Sequence, residues 1–146
     1  MSNDTTAALH DPGGKVHLRL GDGVTGGATF SACGRYRHVL TRDWTPQGKQ
    51  PRTIMFVGQN PSVASADVSD PTCNKEVRFA KRGGYTVYVK TNILDWRATN
   101  PKDVPHDPSL ACSPDNLPHV LTEAAQVDEI LMAYGKLHKR YLDIVM

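Results

Sequence analysis

A chain of 146 residues, 39% hydrophobic and 22% charged, has the composition of one globular domain that buries roughly two thirds of its surface on folding. Its net charge of +2 says little by itself, and no apolar run approaches the ~20 residues of a membrane span. The polar segment from Met1 to His10 lacks the basic and apolar regions of a signal peptide, so the expectation is a cytoplasmic protein without membrane contact.

Residues 1–30 contain Gly13, Gly14, Gly21, Gly23, Gly26 and Gly27 and few bulky apolar side chains. They read as a flexible or irregular lead-in with a short hairpin around Val16 to Leu20, ahead of a single α/β domain over 31–146. Arg35 to Thr41 alternates loosely, as an edge strand does, and Trp44 to Arg52 is a polar loop. Ile54-Met55-Phe56-Val57 is a continuous apolar run, the mark of a strand buried on both faces. Gly58 lets the chain turn there and Pro61 stops the strand from continuing, which presents Gln59 and Asn60 at the sheet edge.

Asp70-Pro71 is a helix start, with an N-capping carboxylate and proline at the first helical position. Cys73, Val77 and Ala80 follow at i, i+4 and i+7 as one buried stripe, and Gly83-Gly84 ends the helix. A strand from Thr86 to Thr91 comes next, then a long Pro- and Asp-rich connection from Asn92 to Cys112. A helix begins near Ser113-Pro114 or at Pro118, with Leu117, Val120, Leu121 and Ala124 as its buried face. Ile130 to Tyr134 is a third strand ending in Gly135, and Leu137, Tyr141 and Ile144 sit at helical spacing in the last segment. This order predicts right-handed crossovers, a mostly parallel central sheet and helices on both faces, a three-layer α/β sandwich.

In a parallel sheet the carboxyl ends of the strands share one edge, which is where open α/β folds bind ligands. Three candidate groups therefore converge: Gly58, Gln59, Asn60, Pro61 and Ser62; Thr91, Asn92 and Asp95; and Gly135 with Lys136. An asparagine amide pairs a donor with an acceptor and suits the edge of a heterocyclic base, although Asn92 can equally cap the turn that follows it. Between Lys75 and Lys102 seven basic residues stand against only Glu76 and Asp95, as a solvated helix face or a contact with phosphates requires. Trp96 beside Arg97 is the better of the two tryptophans for stacking on a base. Cys33, Cys73 and Cys112 are odd in number and widely spaced, which fits a reducing compartment and predicts neither a metal nor a cofactor. His106 and His119 lie in Pro-rich segments where exposure is the default, and Ser62 lacks the Gly-x-Ser-x-Gly turn of a hydrolase nucleophile.

Several motifs occur in the order of a family of uncharacterised bacterial and phage proteins, a domain of unknown function. They are Arg35-Tyr36-Arg37, Asn60-Pro61-Ser62, Asp70-Pro71-Thr72, Phe79-Ala80-Lys81-Arg82 with Gly84-Tyr85, Asn92-Ile93-Leu94, Arg97-Ala98-Thr99 and Pro101-Lys102-Asp103. The resemblance spans roughly residues 35 to 135. More distantly, Gly58-Gln59-Asn60-Pro61 resembles the motif after the first core strand of the uracil-DNA glycosylase superfamily. Asn92 then stands where that superfamily reads a flipped base, and Met132-Ala133-Tyr134-Gly135 is similar to its third strand end. The superfamily's last motif, a His-Pro loop, has no counterpart before Met146, which implies a C-terminally shortened fold or a loss of catalysis.

The distant resemblance implies hydrolysis of the N-glycosidic bond of a base, modified or not, in DNA. Asn60 would position the water, Asn92 would read the base, and Gly58, Gln59, Pro61, Ser62, Trp96, Arg97 and Gly135 would complete the binding site. An amide has no useful proton affinity, so a carboxylate must assist, and Asp67 and Asp70 are the nearest; helix capping is the competing role of Asp70. Two other readings stay open: a non-catalytic binder of nucleic acid or nucleotide, and a hydrolase of small metabolites. A missing final strand would also leave a free sheet edge for self-association.

Overall fold

The computed structural model describes residues 18–145. Seven strands are present: β1 (Leu18–Arg19), β2 (Thr25–Phe30), β3 (Arg37–Asp43), β4 (Thr53–Gly58), β5 (Val68–Ser69), β6 (Val87–Asn92) and β7 (Glu129–Met132). The helices are α1 (Pro71–Arg82), α2 (Pro108–Ala111), α3 (Asn116–Ala124) and α4 (Leu142–Val145), with 3-10 turns at Pro101–Asp103 and Lys139–Tyr141. The main sheet has the order β2-β3-β6-β4-β7, and β1 pairs with β5 in a separate two-stranded ribbon.

Strands β6, β4 and β7 are mutually parallel, as the alternation of strands and helices predicts. The sheet as a whole is mixed, however, because β2–β3 and β3–β6 are antiparallel. The expectation of a mostly parallel sheet fails for a local reason. The short connection from Phe30 to Arg37 is too short for a crossover, so it builds a hairpin whose second strand lies against β6.

The segment expected to be irregular supplies β2, in register with β3 from Thr25 against Asp43. Its glycines serve close approach rather than flexibility. A Cβ on Gly26 would collide with the Ala66 carbonyl, and one on Gly27 would meet the Thr41 hydroxyl at 2.6 Å. Val16 of the expected hairpin lies outside the described residues, and Leu18–Arg19 pair with β5 instead.

Alternation along β4 sorts the core. Ile54 and Phe56 face α1, packing with Leu40, Cys73, Ala80 and Tyr88. Met55 and Val57 face the other way, with Val39, Val89 and the α3 residues Val120 and Ala124. Helices thus cover both faces of the strand. Asp70 caps α1 by accepting from the Cys73 amide at 2.8 Å, with Pro71 at the first position, as the sequence predicts.

Helix α3 departs from expectation. Val120 and Ala124 face the sheet, while Leu117 and Leu121 are 58% and 60% exposed. Strand β7 is also exposed on both faces through Ile130, Leu131 and Met132, and its outer edge has no partner among the described residues. No described helix is long and apolar enough to cross a membrane.

Candidate functional site: a polar cleft at the carboxyl ends of β4 and β6

A cleft of about 460 Å³ opens where β4 and β6 end. Gly58 and Asn92, paired across the two strands, form its floor together with Lys90. One wall is the loop from Gln59 to Ser62, and another is the first turn of α1 with Glu76. Thr99, Pro101 and Tyr134 contribute to the rim.

The loop wall is knitted to the chain after β6. The amides of Ile93 and Leu94 donate to the carbonyls of Gly58 and Gln59 at 2.9 and 2.8 Å, and Ala98 N–H donates to the Pro61 carbonyl at 2.8 Å. Asn60 closes this seam from its side chain, its amide nitrogen donating to the Ala98 carbonyl at 2.9 Å and to the Pro61 carbonyl at 3.2 Å. Those two bonds fix the amide orientation and leave its oxygen as the free acceptor. Ser62 exchanges a hydrogen bond with Thr99 at 3.0 Å.

Asn92 is different. Its side chain is 1% exposed, it lines the cleft, and among the described residues neither its oxygen nor its nitrogen has a hydrogen-bond partner. Burying an amide without partners costs about 1–3 kcal/mol, so such groups are rare in folded proteins. Gly58 makes room for it. A Cβ there would stand 2.7 Å from the Asn92 oxygen and 2.6 Å from Lys90 Cε.

Lys90 donates to both oxygens of Glu76, at 2.7 and 2.9 Å, and Tyr88 donates to the same carboxylate at 2.7 Å. Burial pushes the Tyr88 hydroxyl well above its ordinary range, with the Cys73 and Glu76 charges acting the same way. The Cys73 thiol is pushed up to about 11, chiefly by burial and next by Asp70, so it is protonated at neutral pH.

Arg37 reaches the cleft through a β-bulge. Thr29 faces Val39 whereas Phe30 faces Arg37, so His38 is an extra residue in β3. Val39 packs in the α3-side core while Arg37 lines the cleft. Arg37 is 2% exposed, donates to the Ala64 carbonyl at 3.0 Å, and leaves its buried Nε without a partner. It makes no ion pair among the described residues. The cleft therefore offers an amide and a guanidinium with open hydrogen-bonding atoms, alongside the carboxylates of Asp70 and Glu76, a polar environment suited to a hydrogen-bonding ligand.

Residues 37–146 match a family described as a protein of unknown function, DUF1643. The chain belongs to that family. No curated protein and no solved structure matches it. The DUF1643 match covers the whole cleft, since every lining residue from Arg37 to Tyr134 falls inside it.

Of the residues the sequence singles out in this DUF1643 protein, Gly58, Gln59, Asn60, Pro61, Ser62, Asp70 and Asn92 meet in the cleft. Thr91, Asp95, Lys136, Asp67, Trp96, Arg97 and Gly135 lie outside its lining. Asp67 is exposed in the turn before β5. Trp96 forms a bridge and an edge-to-face contact with Tyr36, with Arg35 over its ring, rather than a stacking platform. Arg97 is a buried strut that donates to the Gly34 carbonyl at 3.0 Å and lies against the Phe30 ring. Gly135 has φ +66 and follows the rim residue Tyr134, so it serves the turn rather than the wall.

Arg37, Lys90, Glu76, Thr72, Cys73, Thr99 and Tyr134 are cleft residues that sequence reasoning missed as site residues. The one available clue was Lys90 directly after the apolar run Val87-Tyr88-Val89. His119 is not a loop residue: it stacks on His38 with ring centroids 4.6 Å apart. Among the described residues no histidine lines the cleft with Ser62. Among the described residues no cluster of His, Cys, Asp and Glu can hold a metal ion.

Proposed function

We propose that the cleft binds a nucleobase and that the protein hydrolyses the base's N-glycosidic bond, as the distant resemblance to the uracil-DNA glycosylase superfamily implies. The observation that carries this reading is the buried Asn92 amide, whose donor and acceptor have no partner among the described residues in a side chain that lines the cleft. A base edge satisfies both atoms at once. Asn60, with its nitrogen already engaged, offers its oxygen to a water. That water supplies a hydroxyl to the sugar carbon and a proton to the departing base, which leaves with the electrons of the broken C–N bond. Lys90 beside Asn92 favours the charge that builds on the base.

A second reading, a base-binding protein without hydrolysis, draws on the carboxylates. Asp70 spends an oxygen on the helix cap, and both Glu76 oxygens are held by Lys90 and Tyr88. Glu76 is thus not a free base for water, and Asp70 has only its other oxygen to offer.

The test is incubation with single- and double-stranded oligonucleotides carrying uracil, mispaired or modified bases, scoring abasic sites. Hydrolysis predicts release of at least one base and a loss of roughly 100-fold or more in Asn60→Ala and Asn92→Ala. Base binding without abasic sites selects the second reading, and neither binding nor release ends both. Self-association through the free edge of β7 belongs to the same proposal, and a strict monomer by light scattering at high concentration rejects it.

A further inference from the structure

A second, smaller groove of about 240 Å³ lies between the β1–β5 ribbon and α1. Arg19, Arg42, Arg78 and Lys81 line it together with Ser69 and Asn74, and among the described residues no carboxylate does. The arrangement is built rather than scattered. Asn74, Arg78 and Lys81 fall at i, i+4 and i+7 on one face of α1, and pairing of β1 with β5 brings Arg19 opposite Val68. Ser69 donates to the Asn74 side-chain oxygen at 2.7 Å, which leaves the Asn74 nitrogen as a donor. Arg42 is 1% exposed and donates to the carbonyls of Thr41, Ser65 and Val68, yet forms no ion pair among the described residues. A buried guanidinium with no counter-ion is stabilised by an anion.

The groove adjoins the cleft. Asp70, Cys73 and Glu76 of the cleft and Asn74 and Arg78 of the groove alternate along the same two turns of α1. The Arg42 guanidinium feels the charges of Arg37 and Asp70.

We propose that this groove holds the phosphate backbone of a nucleic-acid strand, so that the cleft takes its base from a polynucleotide rather than from a free nucleoside. The proposal rests on the reading of the cleft as a base site, but the groove binds phosphates whichever base the cleft selects. Arginines meet phosphate oxygens in pairs of parallel hydrogen bonds, and four cations from β1, β3 and α1 offer more positive charge than one isolated phosphate needs.

The experiment is fluorescence anisotropy of the full chain with a labelled single-stranded oligonucleotide across a salt series, with inorganic phosphate and anionic phosphatidylserine vesicles as competitors. The double variant Arg78→Glu/Lys81→Glu changes two exposed residues outside the cleft. It is expected to lose roughly tenfold or more in affinity, and Arg78→Gln/Lys81→Gln to lower the salt slope by about 1.4, two contacts at ~0.7 each. Lys49→Glu, exposed and outside the groove, is expected to change neither.

Equal affinity of wild type and double variant overturns the proposal. Displacement of the strand by phosphate or vesicles at equal phosphate concentration overturns it too. Asn92→Ala separates the two readings, because it removes base release while strand binding persists. Strand binding that depends on Arg78 and Lys81, with no base released or bound by any form, keeps the groove and rejects the cleft reading.

Discussion

Two buried polar side chains at the end of β6 stand three positions apart and in opposite states. Asp95, 0% exposed, accepts from the Ser113 amide at 2.7 Å, from the Ser113 hydroxyl, and from His38 Nδ1 at 3.1 Å. His38 in turn stacks on His119, so the carboxylate is enclosed by groups that all serve it. Asn92 is as deeply buried and has nothing on either amide atom. A polar group whose bonds are all made is a strut. One whose bonds are left open in front of a cleft carries a cost that only a bound molecule can offset.

Substitutions sharpen this contrast because the two sites should respond in opposite ways. Asp95→Ala leaves His38 and Ser113 without their partner in the interior, and we expect a loss of about 3–5 kcal/mol in urea-unfolding stability. A loss under 1 kcal/mol would remove Asp95 from the class of structural struts.

The cleft wall supplies the next effect. Cys73 loses its proton near pH 9 when unfolded but at about 11 when buried. The higher folded value means that its contribution is intact below pH 9 and disappears as pH rises toward 11, on the order of 2–3 kcal/mol. Tyr88, also pushed up by burial, acts in the same direction at higher pH. Unfolding midpoints measured below pH 9 and near pH 11 should fall accordingly, and Cys73→Ala should flatten the drop. In the same experiment the exposed Cys33, whose thiol is shifted down by its bond to Ser31, should be alkylated first and Cys73 last.

Gly58→Ala forces Lys90 and Asn92 aside, which we expect to cost about 1–3 kcal/mol and to abolish whatever the cleft does. The smallest expected change is the most diagnostic. Asn92→Leu removes an amide that makes no bonds, so stability should stay within about 1 kcal/mol of wild type, or rise, while function is lost. A drop as large as that of Asp95→Ala would place both residues in the same structural role.

Much of this contrast is legible in the sequence, and the rest is hidden for identifiable reasons. Ile54 to Val57 could only be a doubly buried strand, and Asp70-Pro71 could only start a helix, so Asn60, Asn92 and Asp70 are placed correctly at one edge. Arg37 is invisible because its direction depends on one extra residue, His38, and a bulge leaves no periodic trace. Leu117 and Leu121 carry the right spacing for burial, but spacing says which side chains share a face and not whether anything lies against it. Gly26 and Gly27 read as a loop because glycine marks both a turn and a tight approach, and only the neighbouring Ala66 and Thr41 decide between them. Trp96 and Arg97 follow the strand in sequence, yet their chain turns back to bond with Arg35 and Tyr36, so that Arg97 braces the cleft wall from behind through the Ser62 carbonyl instead of lining it.

The most direct test looks at the Asn92 side chain itself. With nitrogen-labelled asparagine and the Asn92→Leu variant for assignment, the amide cross-peaks of Asn92 can be followed while oligonucleotides carrying different bases are added. The account predicts that at least one base shifts the Asn92 peaks while those of Asn116, which is bonded to the Asn92 and Ile93 carbonyls, stay in place. Asn92 peaks that no base moves would contradict it.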